Sequence, residues 1–264
     1  MDRPAHLPIY ERPPLNEVVY GVQFTAPPDF TSVQHRDIWE LFQPEFPNVE
    51  EQTALAPAFE TFGGAPSPMS LQFQFGGAPK TRLWFISRDE THLLQFQDDR
   101  LLLNWRRREN GNDYPHFEGI FPVFAKSLQT LSEWFRSNGH ELQVNQAEVT
   151  YINLISAPDL STAQDWFTFL NTTPLKLEVA SLTLTEVLNN EMGKPIARFF
   201  HEVVTVATPG SRERAFRFTL TIRGAPQNGS LEAAFDFIKG ARERIDVRFA
   251  ELTTESAKTF WGRK

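Results

Sequence analysis

Three consecutive arginines, Arg106, Arg107 and Arg108, follow Trp105 at the end of the run Leu101-Leu102-Leu103-Asn104-Trp105. A guanidinium is always charged and presents its N–H donors in a planar fork that fits a phosphate or a carboxylate two bonds at a time. The triplet could therefore hold an anion or the acidic patch of a partner; its plainer reading is a strand end running into a charged loop before Glu109-Asn110-Gly111. Arg212, Arg214, Arg217 and Arg223 add a second set of bases. Trp105, Arg106, Arg107, Arg108, Arg217 and Arg223 form the candidate partner-binding or anion-binding set, and a pseudo-symmetric pairing of the two regions would bring both sets toward one sheet face. Glu17 and Glu148 open two copies of one short motif. Each is expected to cap backbone amides or pair with an arginine, with a ligand role as the alternative.

Other chemistry is sparse. The six histidines are His6, His35, His92, His116, His140 and His201, and none lies at metal-ligand spacing from another. His201-Glu202 starts like a zinc-protease motif, but position 205 is Thr and the segment reads as strand, whereas that motif needs a helix to bring its histidines together. No nucleophile elbow, phosphate-binding glycine loop or dinucleotide fingerprint is present. Gly63-Gly64 and Gly76-Gly77 read as turn glycines, and Asp98-Asp99 as a tight turn. A catalytic triad is a spatial arrangement that no spacing here selects. No catalytic residue, cofactor or metal is expected.

Composition narrows the classes. The chain has 264 residues, with 24 Phe and 6 Trp against 3 Met, which is ample material for a stiff aromatic core. With no Cys, disulfides, thiolate metal sites and cysteine nucleophiles are excluded, which also fits a reducing compartment. The start, Met1-Asp2-Arg3-Pro4-Ala5-His6, lacks the basic-then-apolar pattern of a signal peptide. No run approaches the roughly 18 apolar residues that span a bilayer. A cytoplasmic location is expected. The net charge of −7 argues against sequence-blind nucleic-acid binding. Residues 36–60 carry six acids and one base, while residues 239–264 carry seven bases and four acids. These are two solvated surfaces, or else a docking pair within the chain or with a partner.

The elements that must position these groups show an internal near-repeat. Glu17-Val18-Val19-Tyr20 recurs as Glu148-Val149-Thr150-Tyr151, 131 residues on. Ala26-Pro27-Pro28-Asp29-Phe30-Thr31-Ser32 recurs as Ala157-Pro158-Asp159-Leu160-Ser161-Thr162 with one proline fewer. Val18, Tyr20, Val22 and Phe24 alternate with Val19, Gly21 and Gln23, a period-two strand signal. Proline then ends the strand, and a short helix follows in each copy, led by Ile38-Trp39-Leu41-Phe42 and by Trp166-Phe167-Phe169-Leu170. Ser161 and Gln164 form a capping-box pattern for the second. Strands are expected near 70–75, 81–88, 92–97 and 100–106, then near 176–188, 196–207 and 213–223. The apolar phase slips between Val179 and Leu182, which predicts a bulge at Ala180-Ser181. Long amphipathic helices run from Phe117 to Phe135 and from Leu231 to Leu252. Pro115 suits the first turn of the former, Pro122 implies a kink or later start, and Asn138-Gly139 ends it. A short segment, 254–261, closes the chain. Residues 44–69, rich in Pro and Gly, have no second-half counterpart and are expected to form a long surface loop.

The fold class is thus α+β. It reads as two β-α-(antiparallel β3-4)-α halves, residues 1–140 and 141–264, forming one unit with the long helices on one face of the sheet. This element order resembles the TATA-binding-protein-like saddle, a likeness that carries no function.

Pro13-Pro14-Leu15-Asn16-Glu17-Val18-Val19, Leu101-Leu102-Leu103-Asn104-Trp105-Arg106 and Trp261-Gly262-Arg263 together resemble a sporadically distributed bacterial family of uncharacterised proteins of about this length. The resemblance spans essentially the whole chain. It implies a bacterial cytoplasmic protein with no catalytic residues to carry over, and its patchy distribution is typical of genes on mobile or defence islands. The leading functional expectation is a non-enzymatic protein that binds a macromolecular partner, a protein first of all. The alternatives are a nucleic-acid or nucleotide binder using the arginines, and an unrecognised hydrolase or nuclease. No membrane association is expected, and the oligomeric state stays open.

Overall fold

The computed structural model describes residues 4–63, 80–108, 113–156, 163–170, 177–207 and 214–264. The chain is α+β. In order it forms β1 (Leu15–Phe24), a 3-10 turn (Ser32–Gln34), α1 (His35–Phe42), β2 (Asn48–Thr53), β3 (Thr81–Ile86), β4 (His92–Gln97), β5 (Arg100–Arg106) and α2 (His116–Ser137). Then come β6 (Val144–Ser156), α3 (Ala163–Trp166), β7 (Ser181–Asn189), β8 (Pro195–Ala207), β9 (Arg214–Gly224), α4 (Leu231–Leu252) and α5 (Glu255–Phe260). The strands make one antiparallel sheet in the order β2-β3-β4-β5-β1-β6-β9-β8-β7.

The two strands that carry the repeated motif lie side by side at the centre. Val19 faces Thr150, Val18 faces Tyr151, and Tyr20 faces Val149. On the flanks, Glu17 faces Arg106 of β5 and Glu148 faces Arg223 of β9. The alternating apolar residues of β1 point at the helices: the Tyr20 ring meets Phe117, Phe121 and Phe124 of α2 edge-on. In β9, Phe216, Phe218, Leu220 and Ile222 are buried, and Phe218 stacks on Phe249 of α4. Because side chains alternate along a strand, the opposite set must point to the face that carries no helix among the described residues.

Helix ends follow local chemistry. Ser230 caps α4, its hydroxyl oxygen accepting from the Ala233 N–H at 3.2 Å, which satisfies one donor left orphaned in the first turn. Gly139 takes a φ of 81° after α2, and the His140 N–H reaches back to the Phe135 carbonyl, so the chain leaves the helix where Asn138-Gly139 predicts.

Several expectations are corrected. Residues 44–69 are not all loop. They contain β2, which pairs with β3 through Val49 opposite Phe85; with one apolar residue in six, an exposed edge strand has no periodic signature. The second-half strand starts at Ser181, not near 176, and its register shift lies between Leu188 and Asn189 rather than at Ala180-Ser181. This is the other edge strand, where Leu184 and Val187 are exposed and burial does not fix the apolar phase. α2 begins at His116 and runs through Pro122, with Pro115 as the residue before the helix. The hydrogen bond that Pro122 cannot make is offset by burial of Phe117, Ile120, Phe121 and Phe124. The second short helix is a single turn, and Phe167 beyond it bridges to Thr253 instead. Phe235 packs edge-on against Phe121 of α2, between the helices. The expected strand near 70–75 and the capping box at Ser161 lie outside the described residues. No helix among the described residues is long and apolar enough to cross a membrane.

Candidate functional site

On the helix-free face one residue from each of six neighbouring strands joins a row that steps once. Gln97 of β4, Arg100 of β5, Gln23 of β1 and Gln146 of β6 stand in direct register, and Arg223 of β9 and Arg198 of β8 continue it two residues along, at the level of Glu148. Residues 54–62 lie across this row. Gln97 donates to the Leu55 carbonyl at 3.0 Å and accepts from the Leu55 N–H at 2.8 Å. Gln23 does the same for Ala58, at 2.6 and 2.9 Å. Arg100 donates to the Ala56 carbonyl at 3.1 Å, and the Glu60 N–H donates to Gln146 Oε1 at 3.4 Å.

The far end is ionic. Arg223 donates to the Glu60 carboxylate at 2.8 Å, and Arg198 pairs with its other oxygen. Arg198 also donates to the Thr61 carbonyl at 2.7 Å and lies over the Phe62 ring. The Glu60 side chain is 5% exposed, so its charge is withdrawn from water and held by two guanidiniums. Arg223 reaches Glu148 as well, at 3.5 Å.

The dimensions agree with a crossing at right angles. Strands lie about 4.8 Å apart, so six strands span roughly 24 Å, and seven extended residues cover about 20 Å. Under the crossing lies a cavity of about 230 Å³ whose lining includes Gly21, Leu102, Glu148, Ala56 and Ala58. A Cβ at Gly21 would stand 2.2 Å from a Leu102 methyl, so glycine keeps this floor flat.

A second polar file lies beside the row. Arg82 and Trp84 both donate to Gln95 Oε1, Gln95 donates to Asn104 at 2.7 Å, and Asn104 donates to Glu17 at 2.6 Å. Glu17 thus accepts a hydrogen bond and Glu148 pairs with an arginine.

The candidate residues of the sequence do not form one cluster, although Arg106, Arg217 and Arg223 share the helix-free face. Trp105 is buried in the core, its ring 5.2 Å from Tyr114 on the helix side. Arg106 sits on the helix-free face opposite Glu17, where burial first, and then Arg108, depress its pKa. Arg107 turns back to the chain start, donating to the carbonyls of Leu15 at 3.0 Å and Pro13 at 3.2 Å. Arg108 pairs with Glu90 at 3.2 Å. Arg217 pairs with Glu202 at the surface, Arg214 donates to the Glu178 carbonyl, and Arg212 lies outside the described residues. Of the six, Arg223 alone stands in the row.

Gln23, Gln97, Gln146, Arg100, Arg198 and Glu60 are the residues sequence reasoning passed over. The charge segregation does not form an intramolecular docking pair either. Glu60 meets Arg198 and Arg223, Glu45 meets Lys126, and Arg242 and Arg248 pair with Asp246, Glu118, Glu186 and Glu251. His201 is buried on β8, stacked on Phe199, and its pKa is lowered by burial and by Arg248. Among the described residues, no group of three or more His, Asp or Glu side chains could hold a metal ion. The arrangement is one that grips an extended main chain and one carboxylate. Comparison of the chain with protein families, curated proteins and solved structures gives no significant match.

Proposed function

We propose that the chain is a non-enzymatic binding protein that engages a protein partner through the helix-free face of its sheet. The observation that carries this reading is the row of six side chains, each on its own strand, that holds a length of polypeptide by its backbone and by one carboxylate. Strand-mounted side chains are positioned by the whole sheet, so the row is a rigid template, and glutamine amides match peptide groups donor for acceptor. Nucleic-acid binding is the weaker reading. Arg198, Arg217 and Arg223 on this face are already paired with carboxylates, which reduces the positive charge free for phosphates.

The fold is read as a duplication of residues 1–140 and 141–264 in a TATA-binding-protein-like order. The pairing of motif with motif about Val19 and Thr150 supports this, as do the matching Glu17–Arg106 and Glu148–Arg223 positions. A bacterial cytoplasmic setting, and a place in a defence or mobile-island module, rest on the family resemblance alone.

The test is affinity capture from the native host. It compares the wild type with a Thr185→Arg/Thr219→Arg variant of the face, then measures binding of the purified captured protein. A partner that the variant loses, with affinity changing less than about tenfold between about 50 and about 200 mM salt, supports the reading. Loss of about a thousandfold over that range would instead mark phosphate binding and overturn it, as would a partner unaffected by the variant.

A further inference from the structure

Building on that function, we infer that residues 54–62 occupy, within the chain, the groove where an extended acidic peptide of the partner binds, so that the partner gains the face by displacing them. Three features of the segment set it apart from an ordinary structural loop.

Its grips are replaceable. Within the segment, Gln97, Gln23, Arg100 and Gln146 meet backbone groups alone, at Leu55, Ala56, Ala58 and Glu60, so any extended chain could take the same bonds. Specificity enters at one position, where Arg198 and Arg223 enclose a carboxylate.

The segment also invests little in the core. Phe59 is 56% exposed and Leu55 is 37% exposed, and Phe62 is half-buried with its ring against Arg198 rather than in the core.

Finally, the segment fills its groove poorly. Ala56 and Ala58 stand over the cavity of about 230 Å³ and leave it open. A peptide with larger residues at those two positions, four and two before its acidic residue, would fill the cavity and keep every backbone bond. The partner segment is therefore extended, carries a glutamate or aspartate, and is bulkier than the chain's own copy at these places.

The tethered segment competes at an effective concentration in the millimolar range, so a free peptide must be tested against weakened tethers. The probes are labelled peptides with the sequence of residues 53–63: the native sequence, one with Ala56→Leu and Ala58→Leu, and one with Glu60→Ala. The proteins are the full-length wild type, Glu60→Ala, and Ala58→Pro, which removes the N–H donated to Gln23 and leaves the sheet untouched. Circular dichroism confirms folding of each.

The native peptide is expected to bind at least one folded variant about tenfold or more tightly than the wild type. The dileucine peptide should bind more tightly still, and the Glu60→Ala peptide weakly. Equal affinity for the wild type and both variants, or no saturable binding to a folded variant, would overturn the inference. Either result combined with captured partner that the face variant loses would sink this inference and leave the proposed function standing.

Discussion

The hydroxyls of Tyr20 and Tyr151 lie 3.4 Å apart in the core, although the residues are 131 positions apart in sequence. Each ends its copy of the Glu-Val-x-Tyr motif, and the antiparallel pairing of β1 with β6 brings the copies together on the helix side. Tyr114 donates to Tyr151 across 3.4 Å, so three phenols share a chain of hydrogen bonds in an apolar setting.

Alkaline titration should reveal that setting. The chain has four tyrosines, and burial is the first cause raising each: Tyr10 is pushed up to about 12, and Tyr20, Tyr114 and Tyr151 rise well above 10. A phenol with a raised folded pKa contributes stability that is fully present below the unfolded value near 10. That contribution is lost as pH rises, because the unfolded chain releases protons that the folded chain keeps. Tyrosinate absorbance should stay flat through about pH 10 and then rise together with loss of circular dichroism. A rise near pH 10 in a still-folded protein would contradict it.

Two glycines should respond in opposite directions. A Cβ at Gly224 would stand 2.3 Å from the Ile196 carbonyl and 2.8 Å from Ala197 Cα, both backbone, so Gly224→Ala should cost about 1–3 kcal/mol through overpacking. Gly240 lies within α4 with nothing within 4 Å of the added methyl, so Gly240→Ala should stabilise by about 0.5–1 kcal/mol. Urea denaturation of both variants decides the pair.

Phe249→Ala should lower the melting temperature by several degrees. Its ring packs between Tyr10, Phe218 and Trp261, with centroids at 5.6, 6.1 and 5.3 Å. Truncating a buried phenylalanine costs about 3–5 kcal/mol. An unchanged melt would place this part of α4 outside the core.

Arg107 should prove structural. Its fork ties β5 to the carbonyls of Leu15 and Pro13, partly exposed, so Arg107→Ala should cost about 1 kcal/mol in urea denaturation. Arg107→Lys should recover little, since one ammonium cannot reproduce a fork. Full recovery by lysine would mean that only the charge matters.

Much of the fold was legible because burial wrote itself into period. The alternation of Phe216, Phe218, Leu220 and Ile222 marks β9, and the stripe of α2 marks that helix. Asn48–Thr53 could not be read this way, since a strand that buries nothing shows no alternation. The row of glutamines was hidden for a related reason. Gln23, Gln97 and Gln146 look like the wet side of half-buried strands, yet Gln97 is 1% exposed and Gln146 is 5% exposed. What buries them is a loop with no counterpart in the repeat, and only the assembled register brings the three amides into line. The arginine triplet drew attention by density of charge, whereas Arg198 and Arg223 matter through a single distant carboxylate.

The crossing segment also ties distant parts of the chain together. Its bonds to Gln23 and Gln97 close over 35 and 42 residues, its bond to Gln146 over 86, and its ionic bonds to Arg198 and Arg223 over 138 and 163. Chain entropy makes the longest closures the costliest, and those guanidiniums exist in place only after β8 and β9 have joined the sheet. Residues 54–62 therefore gain their ionic hold only once β8 and β9 are in place, and a chain lacking those strands would hold Glu60 against neither Arg198 nor Arg223.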